Sequence, residues 1–304
     1  MPLLGVRRGT QDGAEGPRPA SRPRFSPLFP ECSNAHCGSG RLHLWRHRRT
    51  PVIEGGWVCG PACSLRRLQE AIARELEGYP PVRELHRHRI PLGLILLDQG
   101  WIDHGQLKKA LRAKREGDPK RIGAWLMQHC GLEEQRVTQA LSLQWNCPIF
   151  SGEPDSLMLA LSPIPRILLD ALGVIPLRQA ASGSLYVAFE DRIDHSLALA
   201  IERITGLPVV AGLLSGSAFR RHHERMLAAG FPRVRLIEAS SAETLAPALT
   251  QLIEKAQPAQ ARLVRVDRFL WLRMWKQTRA SGSDGDLDNR RSTEDVICSI
   301  TPFQ

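Results

Sequence analysis

Apolar positions along this 304-residue chain change period several times, and each change predicts an element. Over residues 64–77, Leu65, Leu68, Ile72 and Leu76 recur at helical spacing. Ser64 is placed to cap that helix, and Gly78, Pro80 and Pro81 to end it. Residues 91–114 and 121–144 then repeat one pattern at an offset of 30. Gly93/Gly123, Leu96/Leu126, Ala110/Ala140 and Leu111/Leu141 are identical. Leu92/Ile122, Leu97/Met127, Ile102/Leu132 and Leu107/Val137 are apolar in both copies. Such a repeat predicts one supersecondary unit used twice and packed as a pair. Each copy reads as two helices, over 92–99 and 105–115, then over 122–130 and 133–144. Gly100 and Gly131 stop the first helix of each copy, Asp103 caps residues 105–115, and residues 115–120 form a turn.

Beyond residue 148 the pattern alternates between strand and helix periods. Strands are predicted at 174–178, 185–190 and 207–214, and helices at 164–172, 194–204 and 216–228, which is the alternation of a small α/β layer. Asp191 and Asp194 read as helix-start residues rather than a catalytic pair. Residues 229–278 continue as a strand (234–239), a helix (242–256) and two strands (261–266, 269–275). Residues 1–30 and 279–304 lack periodicity and read as a disordered lead-in and tail.

The formal net charge of +10 and a pI near 9.7 favour anionic partners: nucleotides, nucleic acid or an acidic protein. Much of the excess lies at residues 41–49 and 83–89. No secretory leader pattern is visible. No apolar run approaches the roughly 18 residues of a membrane span, so no membrane insertion and a reducing cytoplasmic setting are expected.

Cysteines in that setting read as metal ligands before disulfides. Cys32 and Cys37 are separated by four residues, Cys59 and Cys63 by three, and 21 residues lie between the pairs. Two close thiol pairs just before a helix suit a structural tetrahedral zinc, with His36 as an alternative ligand. Between the pairs, Arg41, Arg46, Arg48 and Arg49 interleave with His43, Trp45 and His47, a mixture suited to nucleic acid or to docking another protein. Cys130 and Cys147 read as buried apolar residues, His222 and His223 as surface, and Trp271 and Trp275 as core. Asp284, Asp286 and Asp288 read as an acidic tail rather than a calcium loop. No nucleophile–base constellation stands out, so an enzyme is not expected.

These readings combine into an α+β multidomain protein. A lead-in (1–30) precedes a zinc-knuckle module with its helix (31–80) and a duplicated helix-pair domain (83–147). A small α/β sandwich subdomain (148–228), a strand–helix–strand extension (229–278) and a tail (279–304) follow.

The repeat resembles the N-terminal, MshEN-type domain of type II secretion and type IV pilus assembly ATPases. That family carries two motifs that begin Arg-Leu-Gly. Arg121, Ile122, Gly123, Leu126, Gly131, Ala140, Leu141 and Gln144 match the second motif, and WNCPIF (145–150) resembles its exit. VIPLR, LYVAFED and ITGLPV resemble the small α/β unit that follows, so the likeness spans residues 88–228. Some members bind cyclic di-GMP, one motif to each half of the dinucleotide. The resemblance therefore implies a cyclic di-GMP site on Leu92, Gly93, Arg121, Ile122, Gly123 and Gln144, or a docking scaffold for secretion or pilus machinery. In this reading Arg121 engages a phosphate or guanine, and the glycines let the ligand reach the backbone. The chain departs from the family at Pro91 in place of Arg, at Lys114 in place of Gln, and in a spacer one residue longer than usual. Arg89 and His88 are candidate substitutes for the missing Arg. No G-x-x-x-x-G-K-[S/T] loop occurs, so the chain reads as a free-standing regulatory domain without its ATPase.

Overall fold

The computed structural model describes residues 31–38, 51–77, 89–276 and 293–300. The lead-in, the Arg41–Arg49 run, His88 and the Asp284–Asp288 cluster lie outside the described residues.

Strands β1 (Val52–Ile53) and β2 (Gly56–Trp57) pair antiparallel through Glu54 and Gly55, both at positive φ as a two-residue hairpin turn requires. Helix α1 (Pro61–Glu77) starts three residues before the predicted cap. Pro61 has the preset φ and missing N–H that suit a first turn, and Ser64 sits inside the helix with its hydroxyl donating to Gly60 O.

The repeat folds twice into the same unit. The first copy gives α2 (Leu92–Asp98) and α3 (His104–Arg115), and the second gives α4 (Ile122–Cys130) and α5 (Glu134–Trp145). Pro91 and Arg121 occupy matching N-cap positions, with φ/ψ of −58/138° and −67/149°. Asp103 closes a capping box with Gln106 at the start of α3. The leading glycine of each copy faces inward. A Cβ on Gly93 would lie 2.6 Å from Leu107 Cδ1, and one on Gly123 would lie 2.9 Å from Val137 Cγ1. Leu107 and Val137 are themselves repeat equivalents, so both glycines serve close helix approach. The two glycines thus have a packing cause of their own, beside the ligand access expected of them. Gly123→Ala is expected to lower stability by about 1–3 kcal/mol through overpacking against the stiff β-branched Val137. A urea melt tests this, and Val137→Ala in the same chain should restore most of the loss.

The α/β unit holds α6 (Ser156–Ala160), α7 (Arg166–Leu172), β3 (Val174–Gln179), β4 (Leu185–Phe189), α8 (His195–Thr205), β5 (Val209–Leu213) and α9 (Gly216–Ala228). The three strands run in the order β3-β4-β5, antiparallel then parallel, with α8 as the crossover. Asp194 caps α8 through Leu197 N–H, as predicted. The helix pairs and this unit share one hydrophobic core, running from Leu96 and Leu126 to Ile201 and Met226.

The remaining elements are β6 (Arg235–Ala239), α10 (Ala242–Ala256), β7 (Gln260–Val266), β8 (Phe269–Trp275) and β9 (Thr293–Ile300). Two expectations fail here. Residues 293–300 are not a disordered tail: β9 lies between β8 and β6 with Val296 and Cys298 fully buried. Nor do the cysteine module and the C-terminal extension form separate units. β1 pairs with β7, giving one six-stranded sheet in the order β2-β1-β7-β8-β9-β6. One face of the sheet packs through Leu263, Leu270, Leu272 and Val296 onto α1 and α10. The other joins the first core through Val264, Val266, Trp271 and Ile297.

Candidate functional site

Cys32 and Cys37 lie on the N-terminal segment, Cys59 follows β2, and Cys63 sits in the first turn of α1. Their sulfurs all lie within 4.8 Å of one another, with Cys37–Cys59 and Cys59–Cys63 at 3.5 Å. A tetrahedral ion with Zn–S bonds of about 2.3 Å sets sulfurs roughly 3.8 Å apart. None of the four is in a disulfide. Asn34 Nδ2 donates to Cys63 Sγ at 3.2 Å, which orients that sulfur, and His36 contributes its backbone N–H to Asn34 Oδ1 rather than a ligand. Burial pushes the Cys63 thiol up to about 12. A bound cation reverses that preference by favouring the thiolate. The donor set therefore fits a closed structural zinc.

On the repeat, the two copies are tied at equivalent carbonyls. Gln144 Nε2 donates to Ile90 O at 2.7 Å. Lys114, its repeat equivalent, donates to Lys120 O at 3.3 Å, the carbonyl 30 residues after Ile90, and also to Asp118 O and Pro119 O. The ammonium thus performs the bond that the amide performs in the other copy. Arg89 stacks over Trp145 at 3.6 Å and donates to Gln144 O, so it braces the module's first turn. Arg121 is largely exposed and forms an ion pair with Asp191 in the loop after β4. Leu92 and Ile122 are half-buried against the core. Ile90, Leu94 and Leu143 are exposed apolar side chains around the Gln144–Ile90 tie. Lys108, Lys109, Arg112, Lys114 and Arg115 form an exposed basic strip along α3.

Three features were missed or misread in the sequence. Glu75 of α1 is buried and accepts two bonds from Arg203 of α8 and one from Arg265 N–H of β7. Arg273 and Asp295 form a buried pair joined by Trp271 Nε1. His222 is buried, not on the surface, and burial with nearby Arg221 holds its ring below the ordinary imidazole value. Of these, only Glu75 left a trace, as an acidic residue on the apolar stripe of its helix.

Among the described residues, no helix is long and apolar enough to cross a membrane. Solved structures similar to this chain include one described as MshE with cdg, 20% identical with a TM-score of 0.38, covering 45% of this chain and 99% of that one. Two structures of the N-terminal domain of XpsE are 18% and 19% identical, with TM-scores of 0.33 and 0.27. They cover 44% and 43% of this chain and 92% and 90% of theirs. No family model and no curated protein matches the sequence.

Proposed function

We propose that this protein is a non-enzymatic regulatory module whose duplicated helix pairs bind cyclic di-GMP, in the manner of the N-terminal domains of secretion and pilus ATPases. The four cysteines hold one structural zinc that fastens α1 to the C-terminal sheet. The observation that carries the reading is the preservation of the repeat in three dimensions. Matching N-caps at Pro91 and Arg121, matching glycine contacts, and matching carbonyl ties from Lys114 and Gln144 present two equivalent edges. A two-fold dinucleotide calls for such a pair. The α3 basic strip and Arg121 supply positive charge for its phosphates. Ile90, Leu94 and Leu143 supply apolar surface for a guanine. Secretion or pilus machinery is the partner class to which the bound state would be reported.

Calorimetric titration of cyclic di-GMP into the full chain tests this. The expected result is saturable binding at one ligand per chain, with Arg121→Ala weaker by at least about tenfold, the usual scale for losing a charge-assisted phosphate contact. Absence of heat at high micromolar ligand, or unchanged affinity in the variant, rejects the assignment to the repeat.

A further inference from the structure

A cavity of about 230 Å³ lies where the α/β unit meets the six-stranded sheet. Ile164, Leu207, Phe231, Val234 and Trp275 form its apolar walls, and Ser162, Thr205 and Thr293 add polar groups. Its base is Arg273, whose side chain is only 7% exposed. The bonding of that guanidinium is uneven. Nε donates to Asp295 Oδ1 at 2.8 Å, and Nη2 donates to Asp295 Oδ2 and to Pro163 O, each at 2.8 Å. Among the described residues Nη1 has no hydrogen-bond partner, and it is not one of the polar atoms sealed from solvent without a partner. Arg273 lines the cavity, and Nη1 is the part of its guanidinium left without a protein acceptor among the described residues. The guanidinium also lies over the Trp271 ring at 4.8 Å, so Asp295, Pro163 O and that ring hold it in place while the Nη1 donors remain for a further acceptor.

The charge at the site has a definite sign. Arg273 neutralises Asp295, which also accepts from Trp271 Nε1 at 2.7 Å. Arg233, exposed at the rim, leaves the lining with a surplus of one positive charge. Concave sites with apolar walls and a few fixed polar groups, set between structural units, are the usual form of a small-molecule site. We propose that this cavity binds a small monocarboxylate with a compact aromatic or branched body, its carboxylate on Arg273 Nη1 and Arg233 and its body against Trp275, Phe231 and Leu207. Such a ligand touches both the α/β unit and the sheet, so it fastens them together. This site is independent of the helix repeat and of cyclic di-GMP.

The test uses the full chain with benzoate and its uncharged counterpart benzamide, followed by saturation-transfer NMR. Benzoate is expected to bind saturably with a Kd of about 1 mM, the scale for a ligand of this size, and benzamide at least about tenfold more weakly. Arg233→Ala, a substitution at an exposed residue, should weaken benzoate severalfold. Leu207→Trp, which fills the cavity from its half-buried wall, should abolish binding in a chain that melts normally. No saturation by benzoate, equal binding of benzamide, or undiminished binding to the filled variant would each overturn the proposal.

Discussion

Cys59→Ser should abolish zinc binding and lower the melting temperature by roughly 10 °C. Cys32 and Cys37 belong to the N-terminal segment, Cys59 to the end of the hairpin, and Cys63 to the first turn of α1. Without the ion, the described residues hold this segment mainly through Ser33 N–H to Trp57 O and the Asn34 contacts. α1 then supplies Leu68, Ala71 and Ile72 to the core beneath α10. A metal held at about a thousandfold its Kd contributes about 4 kcal/mol to the folded state. Each kcal/mol moves the melting point of a chain of this size by roughly 2–4 °C. Metal analysis by mass spectrometry should give one zinc per wild-type chain and none for the variant. A zinc-free wild-type protein with an unchanged melting curve would sink the assignment.

Glu75→Ala should cost about 3–5 kcal/mol, because it strips the shared partner from a buried ion-pair network. Glu75 Oε1 accepts from Arg203 at 2.7 Å and Arg74 at 3.1 Å, and Oε2 accepts from Arg265 N–H at 3.0 Å. Arg203 belongs to α8, so this one carboxylate joins the helix that carries Cys63, the sheet and the α/β unit. Burial alone would raise its pKa. The Arg203 hydrogen bonds and charge, with the Arg265 N–H and Arg74, outweigh burial and hold it below the ordinary glutamate value. The folded state therefore binds this proton more weakly than the unfolded chain. The stabilisation is fully present above the unfolded glutamate pKa and is lost as pH falls through the folded one. Chemical melts below the ordinary glutamate pKa should show the wild-type advantage over Glu75→Gln shrinking with acid. An advantage that stays constant down to the lowest accessible pH would mean that Glu75 is not the titrating latch.

How much of this was legible depends on the distance over which each residue acquires its meaning. The repeat was readable because its information is local: Gly93 and Gly123 sit fourteen positions before Leu107 and Val137, within one helix pair. The role of those glycines was not readable, since packing and ligand access demand the same small residue. Lys114 looked like the loss of a motif position, yet an ammonium and an amide both donate to a carbonyl, and the structure shows them doing the same job. β9 escaped because Val296, Ile297 and Cys298 form a short apolar run next to charged residues. It becomes a central strand only through register with β8 and β6. The hairpin at Val52–Trp57 joins a sheet whose next strand begins at Gln260, a pairing no window of periodicity can contain. The cysteines were legible in advance because four thiols at close spacing have few other uses in a reducing setting.

Hydrogen–deuterium exchange of the intact chain, with and without cyclic di-GMP, shows whether the ligand sits on both copies of the repeat. Slowed exchange is expected at both edges of the repeat, around residues 90–94 with 143–145 and around residues 114–123. Weak changes are expected in α10 and β7 to β9. Protection confined to one copy, protection elsewhere in the chain, or no protection at saturating ligand would contradict the assignment of the repeat as a two-fold dinucleotide site.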